Sequence, residues 1–345
     1  MKLRWGVIGA GGIADRRTLP AMMDAKNAQL VAVMEVNQQL ADSLKEKYHA
    51  QAAYDNIDGL LARDDIDAVY IASPVLYHEE AAYAAAKAKK HILIEKPVAI
   101  SAKKTQEIID FCSDAGVQVG VGFMMRFAAY HQALRAEIKN LGQLTNAAGQ
   151  FTCWYPEIEG AWRQIKAIGG GGALMDMGVH LIDLIQYITG EKIVSVAALN
   201  DTQTFTYEVE DASALLAKTD KGTFVNINSN FNIPDEAAKW RMEFYGTQGR
   251  IICDETLGQV EGGSVEMLYT GPAKGYDAQQ NKKQVEKASL EVEFGNMYTK
   301  EIESFSDSIL TGKPLECPAT DAVYVQKIVE AAYESSEKQK FIDVK

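Results

Sequence analysis

Leu3-Arg4-Trp5-Gly6-Val7-Ile8-Gly9-Ala10-Gly11-Gly12-Ile13-Ala14 stands near the start of the chain, and Met34-Glu35-Val36 follows about one helix later. An apolar run that empties into G-x-G-x-x-A reads as a strand, a tight turn and the start of a helix. Gly9 permits the turn, Gly11 lets backbone approach a pyrophosphate, and Ala14 is small enough for helix–strand packing. Gly12 and Ile13 stand at the helix N-terminus, whose free N–H groups and positive dipole end suit phosphate. Glu35 ends the second strand, 21 residues beyond Ala14. A carboxylate there accepts hydrogen bonds from an adenosine ribose and repels a 2′-phosphate. The expected cofactor is therefore NAD, with NADP kept open by Arg16 and Arg17. The plain alternative for Glu35 alone, a solvated carboxylate at a strand end, loses ground beside the glycine loop.

Working outward, short apolar runs alternate with helical patterns as far as Gly122. Leu3–Ile8, Leu30–Met34, Ala68–Ala72, Ile92–Ile94 and Val117–Val121 read as buried strands. Ile13–Ala25, Gln38–Tyr48, Tyr77–Lys87 and Lys103–Asp114 read as helices. This alternation predicts an α/β, doubly wound parallel sheet covered on both faces. Beyond it come a helix near Phe127–Lys139, a strand over Gln143–Tyr155 and a loop ending in Gly169–Gly172. A strong helix, Leu174–Ile188, follows. Val194–Leu199, Ala212–Thr219, Thr223–Phe231, Arg241–Tyr245 and Arg250–Cys253 then read as mostly antiparallel strands separated by turns such as Asp220-Lys221-Gly222. The polar stretch 270–290 reads as a surface excursion, and helices near Met297–Leu310 and Thr320–Lys338 close the chain. Two domains are expected: residues 1–122, a Rossmann domain, and residues 123–345, an α+β domain with a large open sheet. The closing helices are candidates to pack back on the first domain.

The bulk numbers suit this picture. At 345 residues, the chain exceeds what one core usually serves. An apolar content of 47% with 24% charged residues is that of a globular protein. A net charge of −12 repels phosphate backbones and anionic lipid, so neither nucleic acid nor membrane is an expected partner. No apolar run reads as bilayer-spanning, and early glycines leave no room for a signal-peptide core, so the expectation is a cytoplasmic protein. Cys112, Cys153, Cys253 and Cys317 are far apart, form no CxxC pair and read as reduced thiols.

Two places carry candidate chemistry. In a doubly wound sheet the ligand lies beyond the carboxyl ends of the strands. Ser73-Pro74 and Glu95-Lys96-Pro97 follow two such ends, so both loops are expected to face the cofactor. Pro97 fixes the turn after Lys96 and is a candidate cis proline. The second place is Asp176-Met177-Gly178-Val179-His180, after four glycines. A spacing of four sets the aspartate and histidine on one helix face. An aspartate beside a histidine raises its basicity, as a general base requires. A surface ion pair is the everyday fate of such a pair. A metal reading of Asp176 and His180 is weaker, since the five histidines form no HxxxH or HxH pair, and no metal is expected. No GxSxG elbow or P-loop is present.

These motifs together resemble the glucose–fructose oxidoreductase, inositol dehydrogenase and rhizopine-catabolism (Gfo/Idh/MocA) group of dehydrogenases. The matching pieces are Gly9–Ala14, Ala72-Ser73-Pro74 with His78, Glu95-Lys96-Pro97, and Gly169–His180. Departures are small: Ala14 replaces a glycine, and Met124 stands where a polar residue is common. The resemblance implies oxidation of a hydroxyl, or reduction of a ketone, on a sugar, sugar derivative or cyclic polyol. It implies that Lys96 binds the reacting oxygen, that His180 takes the hydroxyl proton, and that Asp176 orients His180 or holds a substrate hydroxyl. By the same resemblance Ser73, Pro74, His78, Glu95 and Arg126 join Gly9, Gly11, Gly12, Ile13 and Glu35 around the cofactor. Trp162 and Arg163 join the substrate side, and the open sheet joins copies of the chain into a homodimer or homotetramer. Trp154, Tyr155 and Glu157 are either sugar contacts or interface residues. Two rival functions stay open: an NAD-dependent glycosidase working by transient oxidation and elimination, and a non-catalytic dinucleotide-sensing regulator.

Overall fold

The computed structural model describes residues 1–271, 275, 276, 278, 285 and 287–345. Most of the polar stretch 270–290 lies outside them. The chain divides into two compact units: residues 1–124, 160–170 and 296–327, and residues 125–159, 171–295 and 328–345.

The first unit is built on six parallel strands: β1 (Leu3–Ile8), β2 (Ala28–Met34), β3 (Ala52–Tyr54), β4 (Ala68–Ile71), β5 (His91–Ile94) and β6 (Val119–Val121). Their order is β3-β2-β1-β4-β5-β6. The chain winds outward from β1 in both directions, which puts the topological switch point between β1 and β4. Trp5 and Tyr70 are fully buried in these strands. The three half-buried residues of β3 escape the sequence pattern because no periodicity shows in so short an edge. The helix Ile57–Leu61 escapes for the same reason, although Asn56 caps it by accepting from Gly59 N–H at 2.8 Å. The helix Met297–Thr311 completes this core: Ile302 and Phe305 pack among the β1 side chains, and Trp5 Nε1 donates to Ser306 Oγ at 3.1 Å.

Among the described residues of the second unit, nine strands form one mixed sheet. They are β7 (Leu144–Thr152), β8 (Ile193–Asp201), β9 (Ala212–Thr219), β10 (Phe224–Asn230), β11 (Trp240–Gly246), β12 (Gly249–Asp254), β13 (Ser264–Tyr269), β14 (Lys287–Ser289) and β15 (Ile342–Asp343). The order is β14-β13-β12-β11-β7-β10-β9-β8-β15. β7 and β10 run parallel, with Gly149 opposite Ile227; the other described pairs are antiparallel. β13 follows Gly262-Gly263, and β14 and β15 span only three and two residues, so none stands out in the sequence.

A helix lies along this sheet, a π turn over Leu174–Gly178 running into Val179–Thr189. Glycines set its closeness. A Cβ on Gly149 would stand 2.8 Å from Leu181 Cδ2, and one on Gly178 would stand 3.1 Å from Ser229 Oγ. The helical stretch Lys166–Thr189 corrects one expectation: by length and composition it is apolar enough to cross a membrane. Its most apolar window is 83% buried, which marks a core helix, apolar because it is covered on all sides.

Candidate functional site

The glycine loop follows β1 directly. Gly9 (φ +75°) and Gly12 (φ +57°) take left-handed backbone conformations that favour glycine. A Cβ on Gly9 would lie 2.6 Å from Ser73 N, so the loop after β4 presses against the loop after β1. Nothing lies within 4 Å of the place a Gly12 Cβ would take, so the helix start opens on free space. The helix begins with a π turn, Ala14–Thr18, before Leu19–Asp24. Glu35 accepts from Gly11 N–H and Val36 N–H, each at 3.0 Å, and so holds a carboxylate against the glycine loop. Glycine backbone, an open helix N-terminus and a carboxylate at the end of β2 together fit a dinucleotide.

The neighbouring strands carry Ser73-Pro74 and Glu95-Lys96-Pro97, and the Lys96–Pro97 bond is cis. His78 ties the two loops together from beneath. Its Nε2 meets Ser73 O at 2.8 Å, while Nδ1 meets Pro97 O at 3.1 Å and Val98 O at 3.2 Å. Burial pushes its pKa down to about 4 against the pull of these carbonyls, so a neutral ring donates from one nitrogen at a time.

Glu95 accepts from the Tyr70 hydroxyl at 2.5 Å and from Lys96 N–H at 3.2 Å, and Tyr70 accepts in turn from Thr18 Oγ1 at 3.0 Å. Burial pushes the Glu95 carboxyl up, while Tyr70, Lys96 and Arg163 pull it back. A second carboxyl, Glu301, is buried nearby with no hydrogen-bond partner for either oxygen. Burial, and then the charge of Glu95, push it far up and favour its neutral acid. Trp162 and Arg163 belong to this unit, in the turn Trp162–Gln164, with the guanidinium 4.2 Å above the indole.

The second unit holds Asp176, His180 and Arg126. Every residue from Gly171 to Gln186 is buried except Asp176, which is half-buried. His180 is 5% exposed, with its ring edge-on to Phe151 at 6.5 Å between centroids. Arg126 is buried and makes a two-pronged pair with Asp183, at 2.9 and 2.5 Å, while lying 5.1 Å above the Tyr187 ring. Trp154 leans on Phe205, and Glu157 accepts from Thr206 N–H and Oγ1.

Sequence reasoning missed Asp183 as the partner of Arg126, and it missed Glu301. It also missed Glu210, whose carboxylate accepts from Gly172 N–H and Leu174 N–H ahead of Asp176. These partners lie 36 or more residues from the motifs they serve, and nothing local announces them.

Residues 3–123 match the model of the GFO/IDH/MocA oxidoreductase family, NAD-binding Rossmann fold, and residues 131–252 match the GFO/IDH/MocA C-terminal domain. The chain belongs to the GFO/IDH/MocA oxidoreductase family. Its relatives include a glucose-6-phosphate 3-dehydrogenase of Bacillus subtilis, 32% identical over 67% of this chain and 69% of that protein. A D-xylose 1-dehydrogenase (NADP(+)) of Haloferax volcanii is 26% identical over 97% of this chain and 98% of its own. A levoglucosan dehydrogenase solved with NADH and levoglucosan shares the fold at TM-score 0.86, with 22% identity and complete coverage of both chains. As a GFO/IDH/MocA member, the protein is an NAD(P)-dependent oxidoreductase acting on CH–OH groups.

Proposed function

We propose that this GFO/IDH/MocA protein oxidises a secondary hydroxyl of a sugar, sugar derivative or cyclic polyol, or reduces the matching ketone, with NAD preferred to NADP. The observation that carries the reading is the set of loops at the carboxyl ends of β1, β2, β4 and β5. These loops put Gly9–Ile13, Glu35, Ser73-Pro74 and Glu95-Lys96 along one edge of the sheet. The Glu35 carboxylate favours an unphosphorylated ribose hydroxyl there. The relatives named above act on sugars, which supports a sugar substrate.

The nicotinamide supplies the hydride chemistry when bound. Lys96 holds the reacting oxygen by its ammonium and lowers the cost of negative charge on it. His180 accepts the hydroxyl proton at a ring nitrogen, and Asp176 orients that ring or holds a substrate hydroxyl. Trp162 and Arg163 form the substrate wall of the first unit. Ser73, Pro74 and Glu95 shape the cofactor side; His78 acts through the loops it ties, and Arg126 through Asp183.

The chain assembles into a homodimer or homotetramer through the outer face of its large sheet, where Leu199, Leu216 and Phe224 are exposed on adjacent strands. Four free cysteines suit the cytoplasm.

A panel of sugars, glycosides and polyols with NAD and NADP, followed by NADH absorbance, tests the function. Reduction with at least one sugar, and a higher kcat/KM with NAD, is expected. A folded enzyme that reduces neither cofactor with any member of the panel contradicts it.

A further inference from the structure

The four glycines Gly169–Gly172 precede the turn that carries Asp176, and a carboxylate holds the last of them together with Leu174. Glu210 Oε2 accepts from Gly172 N–H at 2.9 Å, and its Oε1 accepts from Leu174 N–H at 3.0 Å. The Tyr333 hydroxyl donates to the same Oε1 at 2.8 Å. The backbone of Glu210 joins in, its carbonyl accepting from Ala173 N–H at 3.0 Å. Three consecutive N–H groups at the start of the turn are thus satisfied by one residue. These are the donors a helix N-terminus leaves without intrahelical partners.

The glycines follow from this clamp. A Cβ on Gly172 would stand 1.9 Å from Glu210 O, and one on Gly171 would stand 1.9 Å from the Tyr333 hydroxyl. No other residue lets the backbone come so near. Glu210 is 8% exposed, and burial, its leading influence, pushes its carboxyl up while the donors around it pull down. Its neighbour Asp211, fully buried, fixes the preceding loop by accepting from Gln203, Thr204 and Phe205 N–H at 2.8–2.9 Å.

We infer that Glu210, with Tyr333, is a positioning residue of the proposed reaction: it fixes the segment Gly171–Leu174 and thereby sets where Asp176 and His180 stand. The inference rests on the roles proposed for those two residues. Asp176 sits two residues beyond the last clamped amide, inside the π turn, and its own N–H bonds Gly172 O at 2.9 Å. A shift of the clamped backbone therefore passes to Asp176 through a single hydrogen bond and one turn of helix. A displacement on the order of 1 Å at a reacting group costs about 10²-fold in rate.

Glu210→Gln, Glu210→Ala and Tyr333→Phe test this in the full-length enzyme. Glutamine keeps one acceptor oxygen and replaces the other by an amide NH2, which only donates; alanine removes all three side-chain bonds, and phenylalanine removes only the hydroxyl. Two readouts are taken: kcat and KM with NAD binding measured separately, and amide hydrogen exchange at Gly172 and Leu174. Exchange speeds up in the order Tyr333→Phe, Glu210→Gln, Glu210→Ala. In the same order kcat falls, by about 10²-fold for alanine, while NAD affinity holds.

Unchanged exchange at both amides overturns the clamp itself, whether or not a sugar substrate has been found. Faster exchange with kcat and KM within twofold of wild type reduces Glu210 to a stabilising cap and overturns the positioning role. If Glu210→Ala does not fold, Tyr333→Phe decides by the same criteria. A wild-type enzyme that oxidises no sugar sinks the proposed function and leaves the exchange result standing.

Discussion

Lys96 and His180 are the residues on which the proposed chemistry turns. Removing a positioned proton acceptor costs about 10²–10⁴-fold. His180→Ala and Lys96→Ala are each expected to lower kcat by that order with little change in NAD affinity, measured by steady-state kinetics and by titration of NAD binding. Wild-type turnover in either variant removes that residue from the chemistry. Glu35 invites a second test. A hydrogen bond to a charged group contributes about 1.5–3 kcal/mol, or roughly 10–100-fold in affinity. Glu35→Ser is expected to weaken NAD by that order and to shift the preference toward NADP; unchanged NAD affinity contradicts a ribose contact. The sequence proposes Gly9, Gly11, Glu35, Lys96 and Asp176 because each sits within a short motif whose spacing carries the physics. Glu210, the burial of Glu301 and the pairing of Asp183 with Arg126 were not legible, because the surroundings of a buried carboxylate are assembled by the fold.

At the scale of elements, the glycines divide into those that backbone approach requires and those that it does not. Gly172→Ala drives a methyl toward Glu210 O at 1.9 Å, whereas nothing lies within 4 Å of a Cβ on Gly262. Gly172→Ala is therefore expected to lower Tm and abolish activity, while Gly262→Ala stays within about 0.5 kcal/mol of wild type, as substitutions with open space around them do. Equal Tm values for the two variants contradict the close approach. Long strands and helices were legible from periodicity, including the strand before the glycine loop. The π turns at Ala14–Thr18 and Leu174–Gly178 were not, since one extra residue in a turn leaves the apolar pattern almost intact. The parallel pairing of β7 with β10 was also invisible, because strand direction is decided by connections and not by the strands' own residues.

At the scale of the whole molecule, two buried histidines set the acid limit. Burial pushes both His78 and His131 down to about 4. The unfolded chain takes up those protons near pH 6.5, so between 6.5 and 4 it holds more protons than the fold, and stability rises with pH. The contribution is complete above pH 6.5 and is lost as pH falls toward 4, on the order of 3 kcal/mol for each ring. His131 keeps one ring nitrogen without a hydrogen-bond partner, so His131→Phe is expected to flatten the fall of Tm across that window. A curve parallel to wild type contradicts this. The proposed assembly also belongs to this scale: the wild type is expected to run as an oligomer in a sizing measurement and Leu216→Glu, on the exposed face of the large sheet, as a monomer; equal sizes contradict a sheet-face interface.

The most direct test is NADH formation in the wild-type enzyme and in His180→Ala side by side, with saturating NAD and the best sugar of the panel. Steady NADH accumulation in the wild type, reduced about 10²-fold or more in the variant with NAD still bound, is the predicted result. Equal rates in the two, or no NADH from the folded wild type with any sugar, contradict the account.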